Sequence, residues 1–273
     1  MKMRSIWGRK MEIQIKKAVK AGNSSAVILP RAWLNKEVRI ELVKKSHESI
    51  LIDTINIIKK YLSLESVIGI YLVGSYARGE EDENSDIDLL VVTSNIDKEI
   101  INEGIYNVSI ISKELLKENL SRDLFPIGQM IKEAKPLLNY EYLNSINVEV
   151  TKNNIRWYVD TTQIKLDLIK KVLDKYKKNN RDYVSDSVAY TLILRLRTME
   201  IIKKMIKNKD YSKKDFISKI NNISRSPNAY EGYLAVKNNL KKKNRVSLEE
   251  SEKLYEYLKE ELASVKKLVK ELK

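Results

Sequence analysis

The sequence predicts an α+β chain in three parts: a small N-terminal β domain over residues 1–46, an α/β domain with a short mixed sheet over 47–150, and a C-terminal helical bundle over 151–273. Three observations predict this. The apolar, β-branched runs Val67 to Val73 and Leu89 to Val92 flank one polar loop and have the length of buried strands. From Asn153 onward prolines and glycines nearly vanish, and apolar residues recur with a period of about 3.6. Ahead of both, residues 11–43 alternate apolar and polar in short stretches broken by turn residues.

In chain order, Met11 to Ile15 alternates like a strand and Ala21-Gly22-Asn23 supplies a turn. Ala26 to Leu29 is a short strand ended by Pro30, Arg31 to Asn35 a turn of helix anchored by Trp33, and Val38 to Val43 a further strand. So few residues cannot bury a core alone, so this domain is expected to dimerise or pack on a neighbour. Ser46 to Leu62 is a helix, with Ile50, Leu51, Ile55, Ile58 and Leu62 on one face. A strand over 67–73, the Gly74-Ser75 turn, a polar loop over 78–85, a strand from Asp86 to Val92 and another from Tyr106 to Ile111 follow. Helices are expected at 113–120 and 123–135, with Pro126 near the start of the second and Pro136 stopping it. The bundle helices are expected at 154–178, 182–208, 212–222, 228–240 and 247–271. Ser212 before Asp215 and Ser247 before Glu250 look like capping boxes, Asn221-Asn222 ends the third helix, and Lys241-Lys242-Lys243 is a loop.

Composition narrows the chemistry. The chain has no cysteine, which excludes disulfides, thiolate zinc sites and a Cys nucleophile. Its one histidine, His47, falls at a helix start, so no mechanism can use a His base elsewhere. The basic N-terminus lacks an apolar signal core and no apolar run reaches the ~18 residues of a membrane span, so a cytoplasmic protein is expected. The net charge of +14 divides into +8 over residues 1–50, −8 over 51–150 and +14 over 151–273. An acidic middle between basic flanks fits a metal-binding unit among surfaces that meet a polyanion.

The stretch that carries chemistry is 67–92. Gly74 lets the backbone approach a phosphate, and Ser75 adds a hydroxyl and an N–H where the next element starts. Side chains alternate along a strand, so Asp86 and Asp88 share a face and could hold Mg²⁺ or Mn²⁺. Arg78 is placed to neutralise a triphosphate. A Gly-Ser pair alone, or Asp-x-Asp alone, fits a solvated hairpin; together they are far more specific. Gly74, Ser75, Ala77, Arg78, Gly79, Ser85, Asp86, Asp88 and Leu89 resemble the signature of the minimal nucleotidyltransferases of the DNA polymerase β-like superfamily. The resemblance implies Gly74, Ser75, Arg78 and Ser85 as nucleotide-binding, Asp86 and Asp88 as metal-holding, and a nucleoside triphosphate as substrate.

The family carries a third carboxylate on the next strand. Here that strand faces one way with Tyr106, Val108 and Ile110 and the other with Asn107, Ser109 and Ile111, and the expected acid falls at or near Ser109. Three outcomes stay open: a displaced acid serves (Glu103, Asp97 or Glu114), metals and positioning supply the rate, or the domain binds nucleotide without transfer.

Lys20 to Ser25 followed by Val27 to Pro30 resembles the AbrB/MazE-type swapped hairpin, which implies a dimer with a basic face toward DNA; Lys16, Lys17, Lys20, Asn23 and Arg31 are the phosphate-contact candidates. The bundle resembles the helical partner domains of nucleotidyltransferases, HEPN-like bundles included. Arg195 and Arg197 are present, but the His of the HEPN nuclease motif is not. Tyr190, Tyr230 and Tyr233 could stack on a base or accept a nucleotidyl group, although tyrosines at helical spacing are more often packing groups. The sequence thus predicts transfer of a nucleoside monophosphate, with ATP the default donor, to a hydroxyl on protein, RNA or a small molecule. The alternative is an antitoxin-like DNA-binding regulator whose central domain binds nucleotide without turnover.

Overall fold

Gly22 at φ +61° lets the chain reverse between strands β1 (Val19–Ala21) and β2 (Ser24–Ala26), which pair antiparallel with Ala21 opposite Ser24. The computed structural model describes residues 14, 16, 18–40, 46–82, 85–241 and 244–272. The expected strand at Met11 to Ile15 falls almost wholly outside these residues, as do the far half of Val38 to Val43, Lys17, Lys242 and Lys243. The pairing strand is earlier than expected, at 24–26 instead of 26–29, because the turn at Gly22 fixes the register; Arg31–Trp33 forms the expected helical turn.

Two compact units follow, one taking the chain through Leu115 together with Ala134–Ser145, the other Leu116–Glu133 and everything from Ile146 on. In the first, α1 (His47–Ile58) starts on a capping box in which Ser46 and Ser49 exchange hydrogen bonds, and His47 is exposed. Strands β3 (Val67–Val73) and β4 (Ile87–Thr93) are the two apolar runs of the sequence, joined through the short helix α2 (Gly74–Arg78). Strands β5 (Lys98–Glu103) and β6 (Tyr106–Ser112) form a hairpin, and β7 (Lys135–Leu138) closes the other edge. The order is β5-β6-β4-β3-β7, with β4 and β6 parallel and every other pair antiparallel.

Two of these strands were not expected. β5 is an edge strand, and Ile100 in it is exposed, so it lacks the apolar run that marks a central strand. β7 contains Pro136, read as a helix stop; at an edge the missing N–H costs no ladder bond, and Pro136 lies opposite Tyr71. One sheet face packs Ile70, Leu72, Leu89, Val91, Val108 and Ile110 against Ile50, Ile57 and Ile58 of α1. Tyr106, buried on that face, donates its hydroxyl to Asp53 of α1 at 2.7 Å. On the opposite face Gly69 leaves room for the Tyr71 ring, whose hydroxyl would lie 2.0 Å from any added Cβ.

The second unit is helical. Helix α3 (Lys113–Arg122) leads into it from the sheet unit, and α4 (Ile127–Glu133) belongs to it; α5 (Tyr140–Ser145) stays with the sheet. Then come α6 (Lys152–Lys178), strand β8 (Tyr183–Val184), α7 (Asp186–Ile206), α8 (Lys213–Ser224), α9 (Asn228–Lys237), strand β9 (Val246–Ser247) and α10 (Leu248–Glu271). Asn154 near the start of α6 ties the unit to its early helices: its amide donates to the Leu120 and Glu149 carbonyls, and its own carbonyl accepts from Leu124. Ser247 and Glu250 form the expected capping box, and Ser212 accepts from Asp215. The third bundle helix runs past Asn221-Asn222 because Ile220 and Ser224 are buried beneath it; Arg225, at φ +61°, ends it instead. No helix among the described residues is long and apolar enough to cross a membrane.

A largely covered ion pair joins two helices of this bundle. Lys203 of α7 reaches both oxygens of Glu261 of α10, at 2.9 and 2.8 Å, and Glu261 is only 8% exposed. Burial pushes the neighbouring Tyr257 hydroxyl up to about 12. Removing one partner strands a charge in a poorly solvated place, so Glu261→Ala is expected to cost about 3 kcal/mol in urea unfolding. Lys203→Met combined with Glu261→Leu should recover most of that loss, because two apolar groups leave no orphan charge.

Candidate functional site

The site is built by the β3–α2–β4 connection. β3 ends at Val73 in extended geometry, and Gly74 at φ +71° turns the chain at once into α2. Gly79, also left-handed at φ +67°, ends α2, and its N–H bonds back to the Ser75 and Tyr76 carbonyls. Tyr76 and Ala77 are buried in the α1 side of the sheet core, which leaves Ser75 and Arg78 half-buried.

The loop into β4 is held by its own groups. Ser85 Oγ accepts the Asp82 N–H at 2.8 Å while the Ser85 N–H donates to the Asp82 carbonyl at 2.9 Å. Arg78 Nε donates to Glu80 at 2.8 Å, and both side chains are largely covered. Asp86 is exposed, one residue ahead of the strand that was expected to begin with it.

Asp88 lies at the centre. It pairs in register with Val73 on one side and Asn107 on the other, so it sits between the end of β3 and the start of β6. Asn107 Nδ2 donates to Asp88 Oδ1 at 3.1 Å. A Cβ on Gly74 would come within 2.3 Å of Asp88 Oδ2, so the absent side chain at Gly74 is what gives this carboxylate its space. The backbone at Gly74 and the Asp88 carboxylate are therefore in direct apposition.

From the sequence Asn107 is a strand-face residue that can offer oxygen but cannot act as a carboxylate base; in the structure it is the side chain of β6 that reaches Asp88, through its amide N–H. Ser109, where the third acid was expected, is matched with Leu90, two pairs further along the strands. The other acids considered have structural partners. Glu103 pairs with Lys60 at 2.5 Å, Asp97 accepts from the Ser112 N–H and hydroxyl at 2.6 and 3.0 Å, and Glu114 pairs with Lys113 at 3.7 Å. Glu80 could have been found from its spacing to Arg78; Asn107 needed the parallel register. Among the described residues no group of three or more His, Cys, Asp or Glu side chains forms a metal cluster. The carboxylate that stands beside the glycine cradle is Asp88, with the exposed Asp86 two residues before it, and carboxylate oxygen suits a hard cation that takes few protein ligands and completes its shell with water and phosphate.

The remaining candidates belong to other elements. Lys16, Lys20, Asn23 and Arg31 are exposed on and around the β1–β2 hairpin. In the helical unit Tyr190 stacks on Tyr233 at 5.5 Å, and Tyr230 meets Tyr233 at the same distance, so these tyrosines pack on one another. Arg195 donates to Thr161 and lies over Trp157, and Arg197 lies over Tyr211.

A five-stranded mixed sheet with a Gly-Ser turn at one strand's end and Asp-x-Asp at the start of its antiparallel neighbour defines a domain of the nucleotidyltransferase type. The chain belongs to the nucleotidyltransferase domain family, which matches residues 54–220. Among solved structures it is similar to a nucleotidyltransferase-like protein from Exiguobacterium sibiricum, at 13% identity and a TM-score of 0.37 over 79% of this chain and 75% of that one. It is also similar to a spectinomycin adenyltransferase from Enterococcus faecialis, solved with ATP and spectinomycin, at 19% identity and a TM-score of 0.38 over 78% of this chain and 99% of that one. No curated protein matches the chain.

Proposed function

We propose that the protein transfers a nucleoside monophosphate from a nucleoside triphosphate, with ATP the default donor, to an acceptor hydroxyl. The observation that carries this is the apposition of Gly74 and Asp88, with the Asp88 carboxylate held in place by Asn107. Gly74 and Ser75 receive the triphosphate on backbone N–H and hydroxyl donors. Asp86 and Asp88 are the residues that would hold Mg²⁺ or Mn²⁺, and such a cation would neutralise charge on the transferring phosphoryl group. Arg78, whose Nε is held by Glu80, is the nearby cation that would face the same anion, and Ser85 holds Asp82 in the loop before Asp86. The acceptor oxygen bonds to the α-phosphorus as the bond to the bridging oxygen breaks, and pyrophosphate leaves. With Asn107 in contact with Asp88, proton removal from the acceptor falls to solvent or to the acceptor itself, and positioning supplies the rate.

The basic hairpin supports a further role for the N-terminal segment, an AbrB/MazE-like contact with DNA phosphates through Lys16, Lys20, Asn23 and Arg31. Under this reading the HEPN-like helical unit holds the acceptor and performs no nuclease chemistry. The alternative, a DNA-binding regulator that binds nucleotide without turnover, is favoured by one observation: the β6 side chains at and near the expected third-acid position, Ser109 and Asn107, are both neutral. Incubation with α-³²P-labelled nucleoside triphosphates and Mg²⁺ or Mn²⁺ in host lysate separates them. Label on protein or RNA, lost in the Asp86→Asn, Asp88→Asn double variant, is the expected outcome. Nucleotide binding with no transfer from any donor selects the regulator.

A further inference from the structure

Helix α6 has two apolar faces. Ile155, Thr162, Leu166, Ile169 and Leu173 are buried on one. On the other, Trp157, Ile164, Leu168 and Val172 follow one another by steps of one or two helical turns and remain 60, 56, 48 and 37% exposed. A surface helix with a single core to serve keeps its outer face polar, so a second stripe marks a second contact. Its end is pre-organised. Trp157 meets the Tyr158 ring edge-on at 4.9 Å and lies under the Arg195 guanidinium at 5.6 Å, so an exposed aromatic is held in one orientation.

We propose that this face is where a second copy of the chain docks, with the two α6 helices antiparallel across a two-fold axis near Ile164. The stripe complements itself in that arrangement. Trp157 of each helix falls opposite Val172 of the other, Thr161 opposite Leu168, and the two Ile164 side chains meet near the axis. Charge agrees: Asp160 precedes the middle of the stripe and Lys171 follows it, both exposed, so the antiparallel pair sets Asp160 of one copy beside Lys171 of the other at both ends. A parallel pair would set Asp160 against Asp160 and Lys171 against Lys171. Within one chain Asp160 pairs with the exposed Arg156 at 3.4 Å, a contact it can keep or exchange cheaply. One helix a side makes a small interface, so association belongs in the micromolar range. The surface lies in the helical unit and does not depend on the transfer chemistry.

Sedimentation equilibrium of the full chain should show a monomer–dimer equilibrium at micromolar concentration. Ile164→Glu with Leu168→Glu should raise the dissociation constant roughly tenfold or more. Both side chains are exposed, so a circular dichroism melt should match the parent protein. Because the chain has no cysteine, orientation can be read directly. A Thr161→Cys chain mixed with a Leu168→Cys chain should form a disulfide-linked dimer, and neither alone should do so efficiently. A chain that stays monomeric throughout the micromolar range, or a dimer indifferent to the double Glu variant, overturns the proposal. Cross-linking by Thr161→Cys alone overturns the antiparallel arrangement.

Discussion

Asp88→Asn is expected to lower nucleotidyl transfer by on the order of a thousandfold, about 4 kcal/mol of transition-state stabilisation, with the melting temperature unchanged. The substitution keeps the shape of the side chain. It can still accept the Asn107 amide at Oδ1, and it fits the space that Gly74 leaves. What it loses is the negative charge, and a hard cation among neutral amides binds weakly. Steady-state rates measured across a Mg²⁺ series would check this, because the variant's loss should not be recovered at saturating nucleotide. Retention of the parent rate would place the chemistry elsewhere. A companion change tests the same geometry from the other strand. Asn107→Asp sets two carboxylates side by side, which repel without a cation and share one with it. The variant should therefore melt lower than the parent in chelator and gain more than the parent from Mg²⁺.

The parts of this site that could be read in advance are those fixed by short-range pattern. Ile70 to Val73 and Leu89 to Val92 are buried on both faces, so they appear as continuous apolar segments, and the residues between them carry the turn chemistry. The long helices α6, α7 and α10 were equally legible, since each buries one stripe of a long period. β5 and β7 were not. Both lie at sheet edges, where one side of the ladder is empty and burial no longer selects residues strongly; Ile100 and Leu138 are exposed. Asn107 escaped for another reason. Its role depends on which residue of β6 stands beside Asp88, and a parallel register between β4 and β6, which are separated in the chain by the edge strand β5, is set by the whole sheet. The placement of 116–133 with the helical unit was also beyond local reading. It rests on pairs such as Leu120 with Asn154 and Asp123 with Tyr158, which no local periodicity encodes.

Gly74→Ala carries the second large effect, and it should separate stability from chemistry less cleanly than Asp88→Asn. Two costs act together. At φ +71° the backbone lies where an L side chain is strained by about 1 kcal/mol, and α2 cannot relax because Tyr76 and Ala77 are anchored in the core. The new methyl would also stand 2.3 Å from Asp88 Oδ2 and 3.1 Å from Asp88 Cβ. Asp88 would have to rotate away, which would stretch the Asn107 bond and move the carboxylate off the turn. The expected result is a protein destabilised by about 2 kcal/mol that still folds, with transfer reduced at least a hundredfold. Gly79→Ala is the control. It shares the left-handed backbone, at φ +67°, but a Cβ there meets nothing within 4 Å, so it should show the conformational cost alone and retain most of the activity. Equal losses of transfer in the two variants would mean that strain in α2, and not the space beside Asp88, is what the glycine provides; a loss confined to Gly74→Ala would tie catalysis to the contact between the turn and the carboxylate.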